Sequence, residues 1–305
     1  MAEPVTQVAR RRYALDAARL YQWFERLWEQ QATFRNNWQI LADYLDPNRS
    51  GITFQPVPGS KMTDKLFDST APHAVDVCAS NIHGALTNPS QKFFSVAARQ
   101  KHLNDVQGVR AWCEETGDRN YMAINNSNHV SQAAEFYKDL VIFATGAMLL
   151  EEAQRLRPGQ YGGHRYQAIP IGTYVIDENA DEEVDVLARK LTMSVRAACE
   201  RWADKPNASV PDKWRTLVSN RPEEPVEVCH FIYPRKDRNR NAMDAANMPF
   251  ASCWFTVEEK HKFGRGRLPR VPGGRHPLVE AGRGEVGPRA LMDRPARHQV
   301  AQPGH

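Results

Sequence analysis

The sequence predicts an α+β fold: a helical N-terminal half, then mixed β-strands with short helices, then a disordered C-terminal tail. Three observations carry this. Apolar residues recur at three- and four-residue spacing up to about Ala144, the mark of amphipathic helices. From Met148 onward, β-branched and aromatic runs alternate with turn residues, as strands do. After Phe263 no aromatic residue occurs, and Gly, Pro and Arg dominate, a composition that cannot bury a core.

Residues 7–46 read as one long helix. Tyr13, Ala17, Leu20, Phe24, Leu27, Phe34, Trp38, Leu41 and Leu45 follow helical spacing, with Gln31 as the one polar break. Trp23 and Trp28 widen the stripe, which favours packing on its own domain over a narrow coiled-coil seam. Asp46-Pro47 ends the helix, because proline disfavours the helical conformation of the residue before it.

A loop rich in Pro, Gly and Ser covers residues 48–63. A helix follows from Asp64 to Leu86, with Pro72 near its first turn and Val75, Cys78, Ala79, Ile82 and Leu86 on one face. Phe93-Phe-Ser-Val-Ala reads as a strand. Residues 104–123 read as a helix with Val106, Val109, Trp112 and Cys113 inward.

The most strongly patterned stretch runs from Asn128 to Thr192. Val130, Ala133, Ala134, Tyr137, Leu140, Val141 and Ala144 give a helix one apolar face, and Gly146 stops it. Strands are expected around Met148, Ile171–Asp177 and Val184–Met193, with a hairpin turn at the acidic run Asp177 to Glu183. Thr192 is placed to cap a short helix reaching Trp202. Pro211–Val218 forms a further turn of helix, and Val226–Tyr233 and Ala251–Val257 are strands. The chain divides into a long N-terminal helix (1–47), an α+β domain (48–259) and a Gly/Pro/Arg-rich tail (260–305).

No run approaches ~18 consecutive apolar residues, so no membrane span and no membrane partner are expected. No apolar stretch follows Arg10, Arg11 and Arg12, which argues against a signal peptide. The five cysteines (Cys78, Cys113, Cys199, Cys229 and Cys253) are scattered, which suits free, buried thiols in a reducing cytoplasm. From Lys260 to His305 ten Lys and Arg face three acids, a local +7 that leaves residues 1–259 at −3. The net charge of +4 therefore belongs to the tail.

No catalytic, cofactor or metal residue is assigned. Asp177, Glu178, Asp181, Glu182 and Glu183 offer oxygen ligands but lack the glycine and spacing of a calcium loop, so a solvated turn is the better reading. Cys229 and His230 point to opposite faces of one strand and cannot share a metal. His83, His102 and His129 have no Cys or His partner at ligand spacing. Asp64 and Asp68 share a helical face, as many exposed pairs do. Phosphate-loop and nucleophile-elbow motifs are absent, and Gly264-Arg-Gly-Arg follows no loop-to-helix pattern. Arg10, Arg11, Arg12 and Arg19 can touch phosphate, or simply solvate a helix start, so DNA-contacting residues stay unassigned.

The codons of the tail suggest a shifted frame. Arg275-His-Pro-Leu-Val-Glu, read one nucleotide forward, can give Ala-Thr-Arg-Trp-Trp-Lys. Glu285 through Gln302 can give Lys-Trp-Gly-Arg-Gly-Pro-Ser-Trp-Thr-Ala-Leu-Pro-Asp-Ile-Lys-Ser-Leu-Asn, and Leu268-Pro-Arg-Val-Pro can give Tyr-Arg-Glu-Phe-Pro. These strings restore the missing aromatic residues.

Several blocks, in order, carry a family resemblance: Tyr44-Leu-Asp-Pro; Leu66-Phe-Asp-Ser-Thr-Ala; Asn81-Ile-His-Gly-Ala-Leu-Thr-Asn-Pro; Lys92-Phe-Phe-Ser-Val; Phe143-Ala-Thr-Gly-Ala-Met-Leu; Ile171-Gly-Thr-Tyr-Val-Ile-Asp; Arg189-Lys-Leu-Thr-Met; and His230-Phe-Ile-Tyr-Pro-Arg. Over residues 8–257 the chain resembles the head-to-tail connecting (portal) proteins of short-tailed, podovirus-type bacteriophages. The resemblance implies a non-enzymatic virion protein, assembled in the bacterial cytoplasm as a ring of about twelve copies. It implies partners: further copies of itself, capsid and tail or adaptor proteins, a terminase, and DNA passing through the ring. It implies a wing-like portion that stops before the stem and clip. The alternative reading is a nucleic-acid-binding protein acting through its basic tail.

Overall fold

A computed structural model describes residues 15–54, 57, 59–153, 161–202, 210–235, 247–266 and 279–281. Their architecture is α+β: helices early, then two antiparallel sheets with two short helices inserted.

The helix expected over 7–46 is two helices, α1 (Ala17–Gln30) and α2 (Ala32–Leu45). Residues 7–14 lie outside the described part. The start at Ala17 has a local cause: the Asp16 carboxylate accepts from the Arg19 backbone N–H at 2.8 Å, satisfying one of the amides a helix start leaves unpaired. The break falls at Gln31. There the Arg35 guanidinium takes the Trp28 carbonyl and lies 3.9 Å over the Trp28 ring. That carbonyl would accept from residue 32 in a continuous helix.

The larger sheet runs β3 (Tyr174–Glu178), β4 (Val184–Ser194), β5 (Pro225–Pro234), β6 (Phe250–Thr256), β7 (Lys262–Gly266), each strand antiparallel to its neighbour. Alternation sorts its side chains. Val175, Val186, Ala188, Cys229, Phe231, Cys253 and Phe255 face α1, whose Ala17, Leu20, Phe24 and Leu27 cover them. Phe231 is wholly buried, a contribution of about 2–3 kcal/mol by area. The stripe of α1 is thus core of its own domain.

The opposite face is covered in two parts. Leu187 and Ile232 meet a second sheet, β1 (Ala147–Glu152) and β2 (His164–Ile169), through Ala147, Leu149 and Ile169. Val228, Trp254 and Phe263 meet α6 (Val195–Trp202) and α7 (Asp212–Asn220) through Val195, Ala198, Trp202 and Trp214. Beyond β1, Met148 packs on α3 (Thr70–Leu86) and α5 (His129–Phe143) through Ala79, Ala133, Phe136 and Tyr137. β8 (Val279–Ala281) pairs with the free edge of β1.

Other expectations shift. α3 begins at Thr70, not Asp64. Phe93–Ala97 is no strand: Phe93 packs on Tyr121 and His129, and Asn104 ties the Ala98 amide, so side chains hold it without a ladder. In α4 (Gln107–Asn125) the buried line is Cys113 and Gly117, while Val106 and Trp112 are exposed. Gly117 lets Lys92 and Val96 approach the helix closely. α5 ends before Gly146, at Ala144 in a left-handed cap (φ 55°) whose N–H bonds to Leu140. In α5 Ala134 is exposed. Strand β4 runs through Thr192 to Ser194, and Ser194 Oγ accepts from the Ala197 N–H in place of the expected Thr192 cap. Cys78 is exposed, unlike buried Cys113, Cys229 and Cys253. β7 extends the sheet past residue 259, and β2 was not anticipated.

Candidate functional site

Three polar assemblies merit weighing. The acidic run forms the β3–β4 turn. Asn179 Oδ1 accepts from the Asp181 and Glu183 amides at 2.8 and 2.9 Å, and Glu182 adopts φ 59°. Asp181, Glu182 and Glu183 are exposed. This is a solvated hairpin turn closed by its own Asx side chain. Among the described residues no group of three or more His, Cys, Asp or Glu is arranged to hold a metal.

The second assembly fastens α2 to the body. Beyond Asp46, a 3-10 turn (Pro47–Arg49) presents Arg49 to Asp46, Glu135 and Asp139. Lys138 bridges Asp46 and Asp76, each at 3.0 Å. Four carboxylates thus share two cations. Burial raises the Asp139 carboxyl to about 6, although Arg49 pulls it the other way. About two turns before Asp46, Gln39 Oε1 accepts from the Ile52 and Thr53 amides at 2.8 and 3.1 Å. Its Nε2 donates to Asp43 at 2.7 Å and Ser50 at 2.8 Å, and Lys65 closes on Asp43. The contacts of Lys65, Ser50 and Gln39 hold the Asp43 carboxyl low against its burial.

The third lies in the seam between the two sheets. Arg189, His230 and Trp254 occupy one rung of β4, β5 and β6. Arg189 Nε donates to His230 Nδ1 at 3.4 Å, and His230 Nε2 stands 2.8 Å from Ser252 Oγ. Across the seam, Arg189 donates to Gln167 Oε1 at 3.2 Å. Arg201, paired with Glu151 at 3.7 Å, lies 4.8 Å over Trp254. Burial lowers the Arg189 guanidinium to about 10. Burial, with Arg189 and Arg201 nearby, holds His230 well below the usual histidine range.

A serine beside a histidine invites a catalytic reading, and the geometry argues against it. With Arg189 donating to Nδ1, the imidazole carries its proton on Nε2 and donates to Ser252, so it cannot act as the base for that hydroxyl. The orienting group is a cation, which opposes an imidazolium rather than stabilising it. Arg189 and His230 are each 1% exposed. The assembly is a structural bond between sheets. The signal for it was present: Arg189 stands between Leu187 and Leu191 on one strand face, where an apolar residue is expected.

The remaining sequence candidates are dispersed. Cys229 and His230 do face opposite ways: Cys229 lies under α1, its thiol pushed up to about 12 by burial. The structure brings His83 and His129 together: His83 packs on Tyr137, His129 on Phe93 and Tyr166, and burial with His83 lowers the His129 imidazole. His102 and Arg19 are exposed. Asp64 is exposed in an ion pair with Lys61, and Asp68 accepts from Thr70. Arg10, Arg11 and Arg12 lie outside the described residues, as does the tail apart from 260–266 and 279–281. No helix among the described residues is long and apolar enough to cross a membrane.

The family described as "Bacteriophage head to tail connecting protein" matches residues 17–268. The portal protein of Salmonella phage epsilon15 is 27% identical over 240 residues, covering 78% of this chain and 41% of that protein. A protein of Bordetella phage BPP-1 described as "Probable portal protein" is 23% identical over 228 residues, covering 74% of this chain and 40% of its own length. The chain spans about two fifths of the length of these curated relatives.

Proposed function

The chain belongs to the bacteriophage head-to-tail connecting protein family, and from that premise we propose that it is a structural subunit of the portal ring through which phage DNA is packaged and ejected. The observation that carries this is the family match over 17–268, joined by two portal proteins of separate phages aligned over three quarters of the chain. In this reading residues 48–259 form a wing-like domain, with the helices before residue 47 docked on it. Its role is position rather than chemistry. The polar groups agree, since they join the turn after α2 to α5, α3 to α5, and the two sheets to each other.

The ring contacts further copies, capsid and tail or adaptor proteins, a terminase and the passing DNA, and it resides in the virion after assembly in the bacterial cytoplasm. Deleting the gene from its phage tests this. Heads without DNA, with the protein detected at one vertex of complete virions by gold labelling, are expected. Heads that fill normally would end the reading.

We also propose that the chain from about residue 268, where the family match ends, is translated out of the family's frame, on the ground of the shifted strings rich in tryptophan. Sequencing the DNA across codons 255–302 decides it. Nucleotides that cannot encode Trp-Gly-Arg-Gly-Pro one frame away would dismiss it.

A further inference from the structure

The buried cation of the sheet seam has no anion of its own. Arg189 is 1% exposed. Its Nε donates to His230 and its Nη1 to Gln167, neither of them charged, and its Nη2 makes no hydrogen bond among the described residues. Among those residues no carboxylate pairs with it. Glu151 acts on it at longer range, while Arg201 and Arg165 add like charge. Arg49, at the other polar joint, instead takes Asp46, Glu135 and Asp139.

The groups around it come from three elements and lead inward from solvent. On β2, Arg165 shares the seam-facing side of the strand with Gln167, and it stands opposite Glu151 of β1. Arg201, near the end of α6, pairs with Glu151 at 3.7 Å. Its guanidinium lies 4.8 Å from the centre of the Trp254 ring, and that of Arg189 lies 5.6 Å from the same centre. Exposure falls from Arg165, in solvent, through Arg201 at 34% and Glu151 at 30%, to Arg189. Glu152 falls on the opposite face of β1, against His164. Three guanidinium groups thus share one carboxylate.

Excess positive charge in a half-buried place is unfavourable unless an anion joins it. The donors on offer suit one class of anion. Guanidinium forks match the paired oxygens of a tetrahedral oxyanion. Gln167 Oε1 is taken by Arg189, so its Nε2 stands as a further donor. A metal cation would be repelled. A nucleic-acid backbone calls for a row of cations at the surface, and the deepest cation here is buried. We propose that the open end of this seam binds a discrete phosphate-type oxyanion, held by Arg201 and Arg165 with Arg189 and Gln167 behind them. Bound there, the anion fastens α6 and the second sheet to the larger one. This binding is independent of the ring reading.

The test uses the full 305-residue chain. Its thermal midpoint is followed as inorganic phosphate is added at constant ionic strength. A ligand of the folded state raises that midpoint with the logarithm of its concentration, which yields an apparent affinity. Wild type should respond, and so should Arg119→Gln, which alters an exposed arginine on α4. Arg201→Gln and Arg165→Gln should each weaken binding about tenfold, because charge-assisted hydrogen bonds are lost. Glu151→Gln should tighten it about threefold, because the carboxylate opposes the anion. Far-UV circular dichroism checks each fold, and Arg165 stands in solvent, so its variant serves should Arg201→Gln unfold. A wild type that ignores phosphate overturns the site. An equal response in all five proteins overturns it too, as a general salt effect, and so does a Glu151→Gln protein that binds more weakly. An oligothymidylate that binds through Arg201 where inorganic phosphate does not would replace the discrete anion with a nucleic-acid backbone.

Discussion

His230 lies flat on Trp254, ring centroids 3.9 Å apart and planes 7° from parallel. The stack closes a seam that also holds Arg189, Ser252, Gln167, Glu151 and Arg201. A second proton on His230 would set donor against donor at Nδ1 and cation beside cation. Because the folded-state affinity for that proton is depressed, stability from this group is whole above the unfolded histidine pKa of about 6.5 and is lost as pH falls below it. At pH 5 wild type should have lost about 2 kcal/mol that His230→Gln does not lose. Urea midpoints at pH 7.5 and 5 measure it, and parallel curves for the two proteins would refute it.

Asp139 should behave in the opposite sense. Its carboxyl is raised to about 6, by burial first, so the native state holds a proton that the unfolded chain has released. Stability from this group is present at acid pH and lost as pH rises from about 4 through 6. The stability of wild type relative to Asp139→Asn should fall by about 2–3 kcal/mol between pH 4 and pH 7.5. Thermal melts of both proteins across that range give the difference directly. A flat difference would mean that Arg49 fully compensates the buried charge.

These polar joints were the least legible part of the chain. The strands β4, β5 and β6 could be read from β-branched and aromatic runs, because alternation is a local property. Leu20, Phe24 and Leu27 announced the buried side of α1 for the same reason. Trp112 misled, since a large apolar residue on helical spacing says which face it shares and not whether anything covers that face. The break at Gln31 depends on Arg35 reaching back to Trp28, and the Phe93 segment failed as a strand because no strand among the described residues lies beside it. Asp139 looked like an ordinary helix residue; its partner Arg49 is 90 positions away. The ordered blocks of the family resemblance, spread over the chain, carried the functional reading where no single site did.

Gln39 should matter more than a glutamine on a helix usually does. Its carbonyl oxygen takes the amides of Ile52 and Thr53, and its amide nitrogen serves Asp43 and Ser50. Gln39→Ala leaves the Ile52 and Thr53 amides without that acceptor and takes one donor from Asp43, which keeps Lys65 and Ser50, at a cost of about 2–4 kcal/mol. Limited proteolysis should then cut between residues 50 and 69 well before the body of the domain. Equal protection of that segment in both proteins would show that Lys65 and Asp43 hold it alone.

Gly172 sits at φ +80°, and a Cβ placed there would stand 2.5 Å from Ile52 Cγ2. Two separable penalties follow: a left-handed backbone costs an L-residue about 1–2 kcal/mol, and the overlap with a partly buried side chain adds about 1–3 kcal/mol. Gly59 has a similar φ of +82° with nothing within 4 Å of the added atom, so Gly59→Ala should show the backbone penalty alone. Gly172→Ala should therefore be the costlier by more than 1 kcal/mol. Shortening Ile52 to alanine should return most of that excess, visible as a favourable coupling in a double-mutant cycle of urea stabilities. The backbone part should stay in both backgrounds, because trimming Ile52 leaves φ where it was. Strict additivity of Gly172→Ala and Ile52→Ala would place the strain elsewhere than in that contact.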